Sequence, residues 1–311
     1  MISSIKKMIH YEMIQKIKNF LFKVKSKIFR EFYLFFRLRP ASYPYISGDG
    51  FRKMSNHIYD DLKTFNPDDV KENDIVFVQL HSIKEYFEKM HPFINAKYKL
   101  ITHNGDDSVG EEESKLIDEK IIHWFAQNNI FAHSKITPIP IGIENKKWVM
   151  SGYVLYKLIK RLRTTSVIKK NRILFGFNVN TNLAERFPAQ ENLRKCLAAD
   201  EIKQRINPPQ YVELLNQYRF VASPPGNGTD CIRTWEALLL GTIPICKSSV
   251  LINYFQRLGA PILTIENWSE IAEIDEAKLR ELYDKNKSKL NNEYLLMDSW
   301  IKLIKTTNDQ S

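Results

Sequence analysis

Cysteine is scarce in this 311-residue chain, and Cys196, Cys231 and Cys246 lie far apart with no C-x-x-C pair. That spacing argues against a structural zinc site or a disulfide framework and fits a reducing compartment. Glycine and proline, at 11 and 13, are too few for a collagen-like or low-complexity chain. No run of about 18 consecutive apolar residues occurs, which speaks against a transmembrane helix. No internal repeat is visible. What is there is globular composition, 43 % hydrophobic and 26 % charged, in a chain long enough for two α/β domains or one large one.

The formal net charge of +10 would suit a nucleic-acid binder, but its distribution does not. Residues 1–40 hold ten Lys and Arg against Glu12 and Glu31, whereas the rest of the chain holds 36 basic and 34 acidic side chains. A near-neutral body leaves no sequence-independent attraction for phosphate backbones, so no nucleic-acid partner is expected.

Within that basic arm, apolar residues recur at Ile2, Ile5, Ile9, Met13, Ile17, Phe20, Val24, Ile28 and Phe32, with lysines mostly between them. Steps of three and four predict a basic amphipathic helix. Such a helix suits an anionic membrane surface, each Lys or Arg adding roughly 1 kcal/mol, with residues 1–36 as the contact. Packing on the chain's own body or on a second subunit is the alternative. Lysines interrupt the apolar residues and no small-residue cleavage site follows, so a secretory signal peptide is a poor match. The expected location is cytoplasmic, peripheral on the inner face of a membrane.

After Pro40, strand-like runs at 74–80, 98–102, 121–126, 136–143, 172–175, 219–222, 242–246 and 261–265 alternate with helical stretches. The helical stretches fall at 51–65, 83–91, 110–118, 185–199, 209–217, 230–240, 248–258 and 276–305. This alternation predicts an α/β fold with parallel sheets covered by helices on both faces. The basic stretch between Trp148 and Arg172 is short on strand signals. It divides the body into two Rossmann-like lobes, 41–150 and 165–311, behind the 1–40 arm. Ligands of open α/β sheets bind at the strand C-termini, which places a cleft between the lobes.

Residues 220–247, FVASPPGNGTDCIRTWEALLLGTIPICK, carry the densest pattern. A strand runs through Ser223, Gly226, Asn227 and Gly228 into a helix that Thr229 or Asp230 is placed to cap, with Gly241 at its end. Glycines before a helix let the backbone approach an anion, and the free N–H groups and the dipole attract it. Arg233 in the first turn has the fork geometry for phosphate oxygens. Glu236, one helical step on, suits vicinal hydroxyls of a ribose. Together these residues predict a site for a nucleoside diphosphate. A plain turn, with Arg233 and Glu236 as a surface pair, is the structural alternative.

The stretch resembles the exostosin-like glycosyltransferases, whose C-terminal lobe bears S-P-x-G-N-G, then an Arg, then W-E-A-L, then G-x-I-P-I. The match is dense over 220–247 and looser over 135–265. It implies a GT-B architecture, a nucleotide-sugar donor in the C-terminal lobe, inversion at the anomeric carbon, and no metal or other cofactor. On that resemblance Arg233 holds the donor diphosphate, Glu236 the ribose or sugar, and Gly226, Asn227 and Gly228 line the phosphate loop.

Two further patches belong to the proposed cleft. Arg186, beside the Phe177–Asn180 turn, is a second phosphate contact or an exposed helix arginine, and Glu144 meets the donor or acceptor or lies in a structural turn. Sugar transfer by direct displacement needs a base for the incoming hydroxyl. Asp106, Asp107 and His103 follow a strand end in the N-terminal lobe and are the candidates, Asp106 first. Capping of the next helix is the bland role for such a turn. The expected function is therefore transfer of a sugar from a nucleotide-diphosphate donor to a glycan or lipid-linked acceptor in surface polysaccharide synthesis. A non-catalytic nucleotide-sugar binding module, and a metal-dependent phosphoesterase using the His103–Asp107 cluster, are the competing classes.

Overall fold

Short runs of β-branched and aromatic residues form the strands, and the order in which they pair differs between the halves. A computed structural model describes residues 38–308, together with positions 20, 24, 27–29, 31–33, 35 and 36. The predicted amphipathic helix of the 1–40 arm lies mostly outside the described residues. Among those described, positions 20, 24, 27–29, 31–33 and 35 are helical. No described helix is long and apolar enough to cross a membrane.

The first sheet contains β1 (His57–Tyr59), β2 (Ile75–Gln79), β3 (Tyr98–His103), β4 (Ile121–Ala126) and β5 (Ile136–Pro138), paired in that sequential order and all parallel. Right-handed crossovers that always advance in one direction put their helices on one face. That face holds Val76, Val78, Leu100 and Trp124 against Ile83 and Tyr86 of α2 (Ile83–Lys89). The opposite face, with Phe77, Ile101 and Phe125, belongs to a core shared with the other lobe. It is covered by α1 (Gly48–Met54) and by the chain's last helix, α10 (Met297–Thr306). Lys99 of β3 donates to the Ile304 and Lys305 carbonyls at the end of α10, at 3.1 and 2.9 Å. The last helix of the stretch predicted as the C-terminal lobe therefore completes the N-terminal one.

The second sheet contains β6 (Lys170–Phe175), β7 (Ala199–Glu201), β8 (Tyr218–Ala222), β9 (Ile243–Lys247) and β10 (Leu263–Ile265), in the order β10-β9-β8-β6-β7. Here the winding reverses between β6 and β8, so helices cover both faces. Ala189 and Leu193 of α5 (Leu183–Lys195) and Leu279 of α9 (Glu276–Asn286) pack on one. The other takes α6 (Pro208–Leu215), α7 (Ile232–Leu239) and α8 (Val250–Arg257). Two Rossmann-like α/β lobes are thus present, as the alternation predicts.

The details depart from the sequence pattern in understandable places. The helix predicted over 51–65 ends at Met54, and the edge strand β1 follows. The run 136–143 pairs only to Pro138, because Pro138 and Pro140 lack donors and Gly142 turns at φ +69°. The stretch 276–305 is broken by 3₁₀ turns between Lys287 and Leu295. Between the lobes runs a wide π turn, Val149–Val154, and then α4 (Leu155–Leu162), whose Leu155, Leu158 and Ile159 enter the shared core.

Candidate active site

The C-terminal ends of both sheets face one another, and two cavities lie there. The first, of about 760 Å³, opens where the second sheet reverses, beyond the ends of β6 and β7 and beside α7. The second, of about 570 Å³, opens at the ends of β2 and β3. Ile232, the first residue of α7, lines both. Neither its amide nor that of Arg233 has a partner among the described residues, as expected of a helix's first turn. The amino end of α7 thus opens onto both spaces.

Arg233 and Glu236 line the first cavity together. Arg233 Nε donates to the Tyr211 hydroxyl at 3.0 Å and Nη2 to the Gly176 carbonyl at 3.2 Å. Its guanidinium also lies 5.7 Å from the Phe177 and Tyr211 ring centroids. Nη1 is buried with no partner among the described residues. Glu236 is 6 % exposed, and its carboxyl likewise has no hydrogen-bond partner among them. Burial pushes its carboxyl up to about 8; Arg233 opposes that rise and Glu144 adds to it. An arginine and a carboxyl with unspent capacity in one cavity are equipped for a ligand bearing both anionic and hydroxyl groups.

The loop before α7 is held firmly. Ser223 is buried, its hydroxyl 2.9 Å from that of Thr234. Arg186 donates from Nε to the Pro225 carbonyl at 2.8 Å and from Nη1 to the Asn178 carbonyl at 2.9 Å. Asn182 donates to the Gly226 carbonyl at 3.0 Å. A Cβ on Gly226 would lie 2.7 Å from Arg186 and one on Gly228 would strike the Asn128 side chain, so a larger residue at either position displaces the end of that side chain. Arg186 is spent on shaping the loop. None of Ser223, Gly226, Asn227 and Gly228 lines either cavity among the described residues.

Asp230 does not cap α7. The N-cap is Cys231, without a side-chain bond, and Gly241 ends the helix region at φ +68° as the pattern predicts. Asp230 Oδ2 instead accepts from the Ile141 amide of the N-terminal lobe and from Trp235 Nε1, each at 2.8 Å, while Oδ1 accepts from the Cys231 amide. It clasps the two lobes. A second bridge is exposed: Asn227 Nδ2 donates to Asp106 Oδ2 at 2.9 Å.

In the second cavity, Asp106, Glu144 and His103 come together, while Asp107 does not line it. His103 is buried with both ring nitrogens engaged. Nε2–H donates to the Pro140 carbonyl at 3.0 Å and Nδ1 accepts the Asn104 amide at 2.7 Å. Burial drives it down to about 4, so it is neutral and holds the turn instead of taking protons. That also removes it as a ligand for the phosphoesterase reading. Glu144 is raised by burial, with the Asn145 amide and Lys147 opposing. Around these lie residues that sequence reasoning missed, among them Asp61, Gln79, Gln127, Asn145, Lys147 and Trp148. In the first cavity the missed groups are Tyr211 and the 202–206 segment after β7, a strand too short to show a pattern.

No protein-family model matches the chain, and no curated protein matches it in sequence. Among solved structures it is similar to one described as trehalose-6-phosphate from E. coli bound with UDP-2-fluoro glucose, at TM-score 0.40 and 12 % identity, over 76 % of this chain and 74 % of that one. It is similar also to the alpha,alpha-trehalose 6-phosphate synthase of Burkholderia multivorans, at 0.40 and 9 %, over 78 % and 72 %. For the alpha,alpha-trehalose-phosphate synthase (UDP-forming) of Burkholderia vietnamiensis the values are 0.41 and 9 %, over 78 % and 75 %. The exostosin-like resemblance thus rests on the chain's own residues, most densely 220–247.

Proposed function

We propose that this chain is a nucleotide-sugar-dependent glycosyltransferase with the two-lobed GT-B layout. One observation carries the reading: Arg233 and Glu236 present unspent polar groups in a cavity at the switch point of a parallel sheet, and one residue, Ile232, lines both this cavity and the second. In this reading the donor diphosphate lies against the amino end of α7 and Arg233, and Glu236 receives the ribose or sugar hydroxyls. The acceptor occupies the second cavity. Asp106 takes the proton of the acceptor hydroxyl as its oxygen bonds to the anomeric carbon, with Glu144 the nearest substitute. The bond to the phosphate breaks with inversion, and the nucleoside diphosphate leaves with the electron pair. Its charge is met by Arg233 and the helix dipole, so the step needs no cation. A glycan or lipid-linked acceptor in surface polysaccharide synthesis, reached through residues 1–36 on an anionic inner membrane face, completes the proposal.

A thermal-shift screen of UDP, GDP and CMP against the full-length protein tests it. One nucleoside diphosphate should raise Tm, as binding to the folded state alone requires. No stabilisation by any of them at millimolar concentration would refute the donor site.

A further inference from the structure

Beside the second cavity lies a smaller one of about 160 Å³, space for about five groups of water size. Its apolar walls are Tyr33, Leu38, Leu62 and Trp148. It adjoins the second cavity, since Asp61, Lys147 and Trp148 line both. Of two cations there, Lys147 lines both cavities and Arg39 the smaller one. The Arg39 side chain is 4 % exposed, bonds Asp49 through Nε at 2.9 Å, and has Nη1 3.9 Å from Asp60 Oδ2. Its Nη2 is buried with no partner among the described residues. Lys147 makes no hydrogen bond or ion pair with a described residue; its ammonium lies 5.3 Å from the Trp148 ring centroid. The carboxylate at the junction, Asp61, is turned toward Gln79, which donates to it at 3.3 Å, and His81 at 3.4 Å. Exposed Phe32, Phe35 and Phe36 precede Leu38 in the chain.

A polar cavity and an apolar groove thus meet at Lys147, and with Arg39 on the groove side the boundary forms a cationic neck. Resting on the transferase reading, we propose that the acceptor is an amphiphile. Its sugar sits beside Asp106 and Glu144, a phosphate links it at Arg39 and Lys147, and an aliphatic chain lies along Leu38, Leu62 and Trp148. The neck selects the linker, and the groove removes the first carbons of the chain from water. A free sugar would leave both unused.

Calorimetry on the full-length protein tests this with three probes: dodecyl phosphate below its critical micelle concentration, dodecyl maltoside, and inorganic phosphate. Dodecyl phosphate should bind at least tenfold tighter than inorganic phosphate. Leu38→Ser, at an exposed position, should weaken both dodecyl compounds about tenfold. Lys147→Gln should weaken dodecyl phosphate alone. Equal affinity for inorganic and dodecyl phosphate, wild-type binding by both variants, or no binding at all would overturn the proposal. The nucleotide screen reads the other cavity: nucleotide stabilisation without amphiphile binding removes this inference only, and the reverse removes the transferase reading.

Discussion

The C-terminal sheet reverses its winding between β6 and β8, whereas the N-terminal sheet adds its strands in one direction. Reversal gives the C-terminal lobe helices on both faces and a crevice at the switch point, and the key groups there come from one continuous segment. The N-terminal lobe has no such reversal. It borrows α10 from the far end of the chain to cover its second face, and it assembles its cavity from many short loops. One lobe is locally coded, and the other depends on contacts far apart in sequence.

The largest expected effect lies on the locally coded side. Arg233→Ala removes one partner of a buried charge pair and should cut nucleotide affinity on the order of 10³-fold, about 4 kcal/mol, abolishing the thermal shift. Dodecyl phosphate binding should persist, and its loss would show the lobes to be less separate than argued. Ile304→Ala, in the borrowed helix beside Lys99 of β3, should cost about 2–5 kcal/mol in denaturant unfolding, as truncation of a buried isoleucine does. Hydrogen exchange should then quicken in β2 and β3 more than in β8 and β9. Uniform quickening would contradict the asymmetry. Asp106→Asn should lower turnover roughly 10²-fold with nucleotide affinity retained, toward the low end of a general base's contribution because Glu144 remains.

The smallest effect concerns pH. Glu236 titrates at about 8 in the folded chain, above the ordinary 4.5. Between those values the unfolded chain releases a proton that the native one keeps, so this residue's contribution to stability is present below 4.5 and lost as pH rises to 8. Over that window Tm of Glu236→Gln, without nucleotide, should fall less than wild type by at least ~3 °C. Parallel curves would show Glu236 to be ionised and solvated.

Legibility followed the same divide. Residues 220–247 put strand, loop, helix and terminal glycine in the order observed, because each is decided by neighbours in sequence. Arg233 and Glu236, three apart on one helix, had to share a face. Asp230 was misread as a cap because its partners, the Ile141 amide and Trp235, include one 89 residues away. His103 looked chemical in a run of Asn and Asp until burial and the Pro140 carbonyl claimed its ring. Trp148 and Lys147 carried no pattern at all; only folding brings them beside Asp61 and Asp106. Strands β1 and β7, three residues each, are too brief for alternation to be seen.

The paired bridges between the lobes differ in depth. Asp230 fastens the interior with buried bonds, while Asn227 and Asp106 meet in the open. The outer contact, a single exposed hydrogen bond, costs only about 1 kcal/mol to undo. Because the residue on one side is also the base proposed for catalysis, that weak bond ties Asp106 to the loop before α7, and breaking it frees the carboxylate for an acceptor hydroxyl.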